Sequence, residues 1–106
     1  MSQVSTHVLD TATGRPAGGV AVTLEGEDGV LASGSTDADG RIPQLGPDRL
    51  APATYRLRFD TGRYAASTGT SSFFPEVVVA FVVDDEAHLH VPLLLSPYGY
   101  STYRGS

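Results

Sequence analysis

Histidine is the side chain whose ordinary pKa, about 6.5, lies near neutral pH. This chain of 106 residues has three: His7, His88 and His90. The last two are separated by one residue, so on a strand both imidazoles project from the same face. Two chemistries fit. As neutral ligands, His88, His90 and His7 would make a three-histidine zinc set with one position open for water, although no acidic partner to orient them is identifiable. As metal-free groups, neutral imidazoles can take a proton from water, and an arginine opposite can bind an anionic substrate and stabilise a developing oxyanion. All the cationic side chains are arginines: Arg15, Arg41, Arg49, Arg56, Arg58, Arg63 and Arg104. Periodicity does not choose among them.

Composition narrows the field. There is no cysteine and no lysine, which excludes disulfides, thiol catalysis and a lysine Schiff base. The net charge of -5 disfavours nucleic acid as a partner. No G-x-S-x-G signature marks a serine nucleophile, and the glycines are scattered at turns rather than gathered into a phosphate loop. No run of about 18 apolar residues occurs and no arginine-led apolar segment opens the chain. The expectation is no membrane, no signal peptide and a cytoplasmic protein.

The groups must be positioned by strands. Short runs of Val, Leu, Thr and Tyr alternate with Gly, Pro and Asp clusters, as in an all-β sandwich, and the length suits one domain over residues 1–106. Gln3–Leu9 is expected as the first strand, with Ser5, His7 and Leu9 on one face. Asp10–Pro16 reads as a turn-rich loop. Val20–Glu25 and Val30–Thr36 follow as strands joined through the GEDG turn, where Asp28-Gly29 is a strong hairpin signal. Ile42–Pro52 reads as a proline-punctuated connection. In Thr54–Asp60, Tyr55, Leu57 and Phe59 point one way while Arg56 and Arg58 point the other. Thr61–Thr68 is the one candidate helix, with Thr61 as its cap. Pro75–Val83 is apolar on both faces, which suggests a strand covered on one side by another subunit. Asp84–Glu86 is an acidic turn, and a final hairpin runs from His88 to about Arg104.

The segment Asp37–Arg41, DADGR, carries carboxylates at alternate positions like a calcium loop. The rest of that pattern is missing: the twelfth residue is Asp48, not glutamate, and no helices flank it. It reads instead as a turn that leaves Arg41 at the mouth of the next segment.

Two stretches carry a family resemblance. His7–Val22, HVLDTATGRPAGGVAV, resembles the N-terminal signature of the transthyretin family. The closing HVPLLLSPYGYS resembles its C-terminal signature. The terminus Tyr103-Arg104-Gly105-Ser106, with His7 and His90, resembles the transthyretin-related enzymes, the 5-hydroxyisourate hydrolases. Hormone-carrying transthyretins lack those histidines and run past that tail. FDTGRY and SFFPEVVV are similar to the hydrolases as well, so the likeness spans nearly the whole chain. One position departs: Leu89 stands where an aromatic residue is usual, facing away from His90 and so bearing on packing.

The resemblance implies a transthyretin-like (prealbumin-like) antiparallel β-sandwich of about eight strands in two sheets, with one short helix near residues 61–68. It implies hydrolysis of 5-hydroxyisourate to 2-oxo-4-hydroxy-4-carboxy-5-ureidoimidazoline, on the route from urate to allantoin. His7, Arg41 and His90 are the implied catalytic residues. The implied substrate-binding set adds Tyr103, Arg104, Gly105 and Ser106. No metal or cofactor is required. A homotetramer, a dimer of dimers with its sites between dimers, is also implied. The rival readings are a small-ligand carrier without catalysis and a sandwich used only for assembly.

Overall fold

The computed structural model describes residues 1–106. The elements in order are β1 (Val4–Asp10), β2 (Arg15–Pro16), β3 (Ala21–Gly26), β4 (Gly29–Ser35), β5 (Arg41–Leu45), β6 (Ala53–Phe59), α1 (Thr61–Ser67), β7 (Val77–Val83), β8 (Leu89–Ser96) and β9 (Gly99–Thr102). They form two sheets. One runs β4-β3-β6-β7. The other runs β2-β1-β8-β9, with β5 also pairing β1. This is the all-β, two-sheet architecture with one short helix that the sequence led us to expect. One pairing adds to it: β1 and β8 run parallel, while every other pair is antiparallel. Strands from opposite ends of the chain need no tight turn to pair this way.

Alternation builds the core. In β6, Tyr55, Leu57 and Phe59 are buried; in β8, Leu89, Val91, Leu93 and Leu95 are buried. These join Val4 and Val8 of β1, Val22 and Leu24 of β3, and Val77 and Val83 of β7 in one cluster. Each fully buried Leu, Val or Phe side chain contributes about 1.5–3 kcal/mol. Leu89 belongs to this cluster, so its departure from the aromatic pattern falls on packing.

Three local details differ from the sequence reading. First, Ile42–Pro52 contains β5. It pairs Thr6 with Ile42 and Val4 with Leu45 across a register shift. Pro43 lacks an N–H and is tolerated because β5 is an edge strand with an irregular ladder; that proline is also why the segment reads as a loop. Second, the loop Asp10–Pro16 includes the two-residue strand β2, paired through Leu9–Pro16 and Asp10–Arg15. Third, Asp60 rather than Thr61 caps α1, its Oδ1 accepting from the Arg63 amide at 3.1 Å. Thr61 is wholly buried and its hydroxyl donates to the Phe74 carbonyl at 2.7 Å.

The helix is tied to the sheet that contains β1 by one side-chain bond. The Tyr64 hydroxyl donates to Asp10 Oδ2 at 2.9 Å. Burial, reinforced by Asp10, pushes that phenol up to about 12. In β7, Val77 and Val83 are buried, whereas Val78, Ala80 and Val82 are open on the outer face, Val82 to 65%.

Candidate active site

The parallel β1–β8 pair brings the two ends of the sequence together. Ser5 stands beside His90 and His7 beside Pro92. On the other side of β1, His7 stands opposite Arg41 of β5. Inward-facing neighbours fill the core, so Ser5, His7, His90 and Arg41 occupy the outer face of this sheet. Periodicity did not say which arginine lies near a histidine; this register puts Arg41 opposite His7. Arg49 is paired with Glu86, and Arg58 with Glu25 and Glu76. Arg41 is exposed and in no ion pair, so its guanidinium is free for an anion.

Arg41 is held by the turn before it. Asp37 Oδ1 accepts from the Asp39 amide at 2.9 Å and the Arg41 amide at 3.0 Å. The Asp37 carboxylate thus shapes the turn that leads into Arg41. Gly40 follows at φ +74 and crosses β1 closely: its carbonyl accepts from the Val8 amide at 2.7 Å. A Cβ there would meet the Val8 carbonyl at 2.5 Å.

His90 is fixed on two sides. Its Nδ1 lies 2.8 Å from Ser5 Oγ. Its ring edge lies against Gly105, where a Cβ would sit 2.6 Å from Cδ2. Gly105 forms an antiparallel bridge with His90, its amide donating to the His90 carbonyl at 2.8 Å. The remaining nitrogen, Nε2, has no protein partner. Partial burial, with further contributions from Arg41, His7 and His88, holds the His90 pKa below the ordinary histidine value. Each of these factors disfavours the imidazolium. His90 is therefore neutral at neutral pH, the state a base requires.

The tail follows. Tyr103 and Arg104 are exposed and, with His90, Leu89 and the β7 residues Phe81 and Val82, line a cleft of about 230 Å³. Ser106 is exposed beyond the bridge. His7 and Arg41 do not line this cleft; they lie further along the same sheet face. Two other clefts, one beside α1 and one on the outer face of β3, contain no histidine.

His88 precedes β8 and is exposed, yet its Nε2 also lies 2.8 Å from Ser5 Oγ. Ser5 is the participant to which the sequence reading gave no role. The available signal was its place two residues before His7 on the same strand face. The zinc reading needed the histidines gathered as ligands. No group of three or more His, Cys, Asp or Glu side chains is disposed to hold a metal ion.

The sequence pattern of the HIUase/Transthyretin family matches residues 4–105. The chain belongs to that family. A 5-hydroxyisourate hydrolase from Salmonella typhimurium is 50% identical over 109 residues, spanning 97% of this chain and 80% of the relative. One from Mus musculus is 46% identical over 113 residues, covering 99% and 96%. Among solved structures, the Klebsiella pneumoniae 5-hydroxyisourate hydrolase superposes with a TM-score of 0.91 at 44% identity, covering 97% of this chain and 98% of that one. Transthyretin from Sparus aurata superposes with a TM-score of 0.89 at 32% identity, covering 99% and 97%. The fold is thus common to a named hydrolase and a named transthyretin, and the site residues must discriminate between them.

Proposed function

We propose that this protein is a 5-hydroxyisourate hydrolase acting in urate breakdown. The observation that carries the reading is the placing of His7, Arg41 and His90 on one sheet face, with His90 Nε2 and the Arg41 guanidinium both unengaged. A carrier for apolar ligands has no use for two imidazoles and a free guanidinium on its binding face, where desolvating them is costly. The named hydrolases, at 44–50% identity, support the same choice over the transthyretin at 32%.

In the reaction we propose, His90 Nε2 takes a proton from water as its oxygen attacks an amide-like carbonyl of the six-membered ring. His7 orients that water from the neighbouring strand. Arg41 holds the polar edge of the substrate and stabilises the charge that forms on the attacked oxygen. Collapse of the tetrahedral intermediate breaks the ring C–N bond, and the proton held by the imidazolium returns to the leaving nitrogen. The product is 2-oxo-4-hydroxy-4-carboxy-5-ureidoimidazoline. General base catalysis contributes about 10²–10⁴-fold, and a preorganised oxyanion donor about 10²–10³-fold. Tyr103, Arg104, Gly105 and Ser106 close the substrate pocket. No step uses a cofactor.

The functional unit we propose is a homotetramer, a dimer of dimers. Its support is an incomplete enclosure: His7 and Arg41 lie outside the cleft that holds His90. A second copy facing this sheet would roof the site, and the open face of β7 is apolar enough for a further contact.

The deciding experiment generates 5-hydroxyisourate with urate oxidase and follows its ultraviolet decay with and without the protein. Acceleration that His90→Ala removes is expected, with the variant still folded. An unchanged decay rate, with ligand binding retained, would favour the carrier.

A further inference from the structure

Ser5 Oγ lies between two imidazoles, 2.8 Å from His88 Nε2 and 2.8 Å from His90 Nδ1. Ser5 is only 7% exposed, so water has little access to replace either bond. A hydroxyl carries one proton. Between two neutral imidazoles it can donate to one only; accepting from both would leave its own proton without an acceptor, since the hydroxyl has no other partner, so it accepts an N–H from one and donates to the other. The three residues therefore form a chain with a direction, and that direction decides which nitrogen of His90 is bare.

Two directions exist. In one, His90 Nδ1–H donates to Ser5 and Ser5 donates to His88 Nε2. His90 Nε2 then presents a lone pair. In the other, every donor is reversed and Nε2 carries a proton, which removes it as a base. The charged or titratable groups around His90 are His7 on β1, Arg41 on β5, His88 ahead of its own strand, and Tyr103 and Arg104 in the tail. The guanidinium of Arg41 attracts a lone pair and repels an N–H. Gly105 packs against the Cδ2 edge of the His90 ring, the edge opposite the Nδ1 that meets Ser5.

We propose that Ser5 and His88 are positioning residues that hold His90 in the Nδ1–H tautomer, with Ser5 accepting from His90 and donating to His88. Their catalytic consequence rests on the hydrolase reading; the tautomer itself does not. His88 is exposed, so its own Nδ1–H is solvated and the chain ends in water.

The test combines a spectrum with kinetics on the full chain. Nitrogen–proton correlation spectra of the imidazoles at pH 8 are expected to show His90 protonated at Nδ1 and bare at Nε2. A proton on His90 Nε2 would overturn the proposal. His88→Leu removes the acceptor at an exposed position and should leave the fold intact. It is expected to mix the His90 tautomers, lower kcat about tenfold with KM little changed, and shift the acid limb of the pH profile. His88→Gln brings an amide oxygen within reach of Ser5 and should recover most of that loss. Ser5→Ala should reproduce the His88→Leu effects, and Ser5→Thr, which keeps a hydroxyl, should recover them. A His88→Leu protein with the original tautomer and the original kcat would also overturn the proposal. If the unmodified protein fails to accelerate 5-hydroxyisourate decay, the hydrolase reading falls, while the spectrum still decides the direction of the chain.

Discussion

Gly105 and His90 face each other across an antiparallel bridge, with the glycine amide donating to the histidine carbonyl at 2.8 Å. The contact is so close that a Cβ on Gly105 would stand 2.6 Å from His90 Cδ2 and 3.2 Å from Cγ. Only glycine lets the tail lie against the imidazole without pushing it.

Gly105→Ala should therefore act on His90 rather than on the fold. Either the ring turns away from Ser5 or the tail lifts from β8. We expect kcat/KM to fall at least about tenfold, equivalent to about 1.4 kcal/mol of transition-state stabilisation. The melting temperature should barely move, because the tail around the bridge is largely exposed. A variant with unchanged kinetics would show that the tail's approach to His90 has no part in the reaction.

The pH dependence follows from the His90 environment. Burial first, then Arg41, His7 and His88, lower its pKa from the ordinary 6.5. The active form is neutral, so kcat/KM should hold as pH falls through 6.5 and decline only at lower pH. Arg41→Gln removes one of the lowering charges. The acid limb should then move up towards the ordinary value without reaching it, since burial remains. The stability contribution has a definite sign. Between the lowered folded pKa and 6.5 the unfolded chain binds more protons, so stability falls as pH drops through that window. A profile whose acid limb moves down in Arg41→Gln contradicts this electrostatic picture.

Gly40→Ala tests the turn that presents Arg41. The residue has φ +74, a left-handed conformation that costs a residue with a Cβ about 1–2 kcal/mol. The added carbon would also meet the Val8 carbonyl at 2.5 Å. We expect a loss of stability larger than the conformational cost alone, read from the urea midpoint at constant slope. Activity should fall with it, because displacing the turn moves Arg41 away from His7. Unaltered stability would mean that the turn is not held tightly against β1.

The elements recognised in the sequence are those whose side chains follow one simple period. β6 alternates core residues with arginines, β8 alternates core residues with His90 and Pro92, and Asp28-Gly29 marks its hairpin. β5 escaped because Pro43 interrupts its pattern, and an edge strand needs few of its own amides for the ladder. The α1 cap was misplaced by one residue because both Asp60 and Thr61 have capping chemistry. Burial decided between them: Thr61 lies inside and bonds Phe74, leaving Asp60 to accept from Arg63.

The sequence alone determined which chemistry was available: imidazoles and guanidiniums, no thiol and no amine side chain, carried on strands whose period is local. It also carried the motifs by which the family resemblance was recognised. The resemblance named Arg41 among the seven arginines, but only the tertiary structure sets it opposite His7 and shows that Ser5 ties His88 to His90. Both depend on the pairing of β1 with β5 and with β8, strands separated by tens of residues, for which local periodicity holds no record. Strand register is a long-range property, set by how the core faces of both sheets close on one another. Residues remote in the chain become one site only when that closure is made.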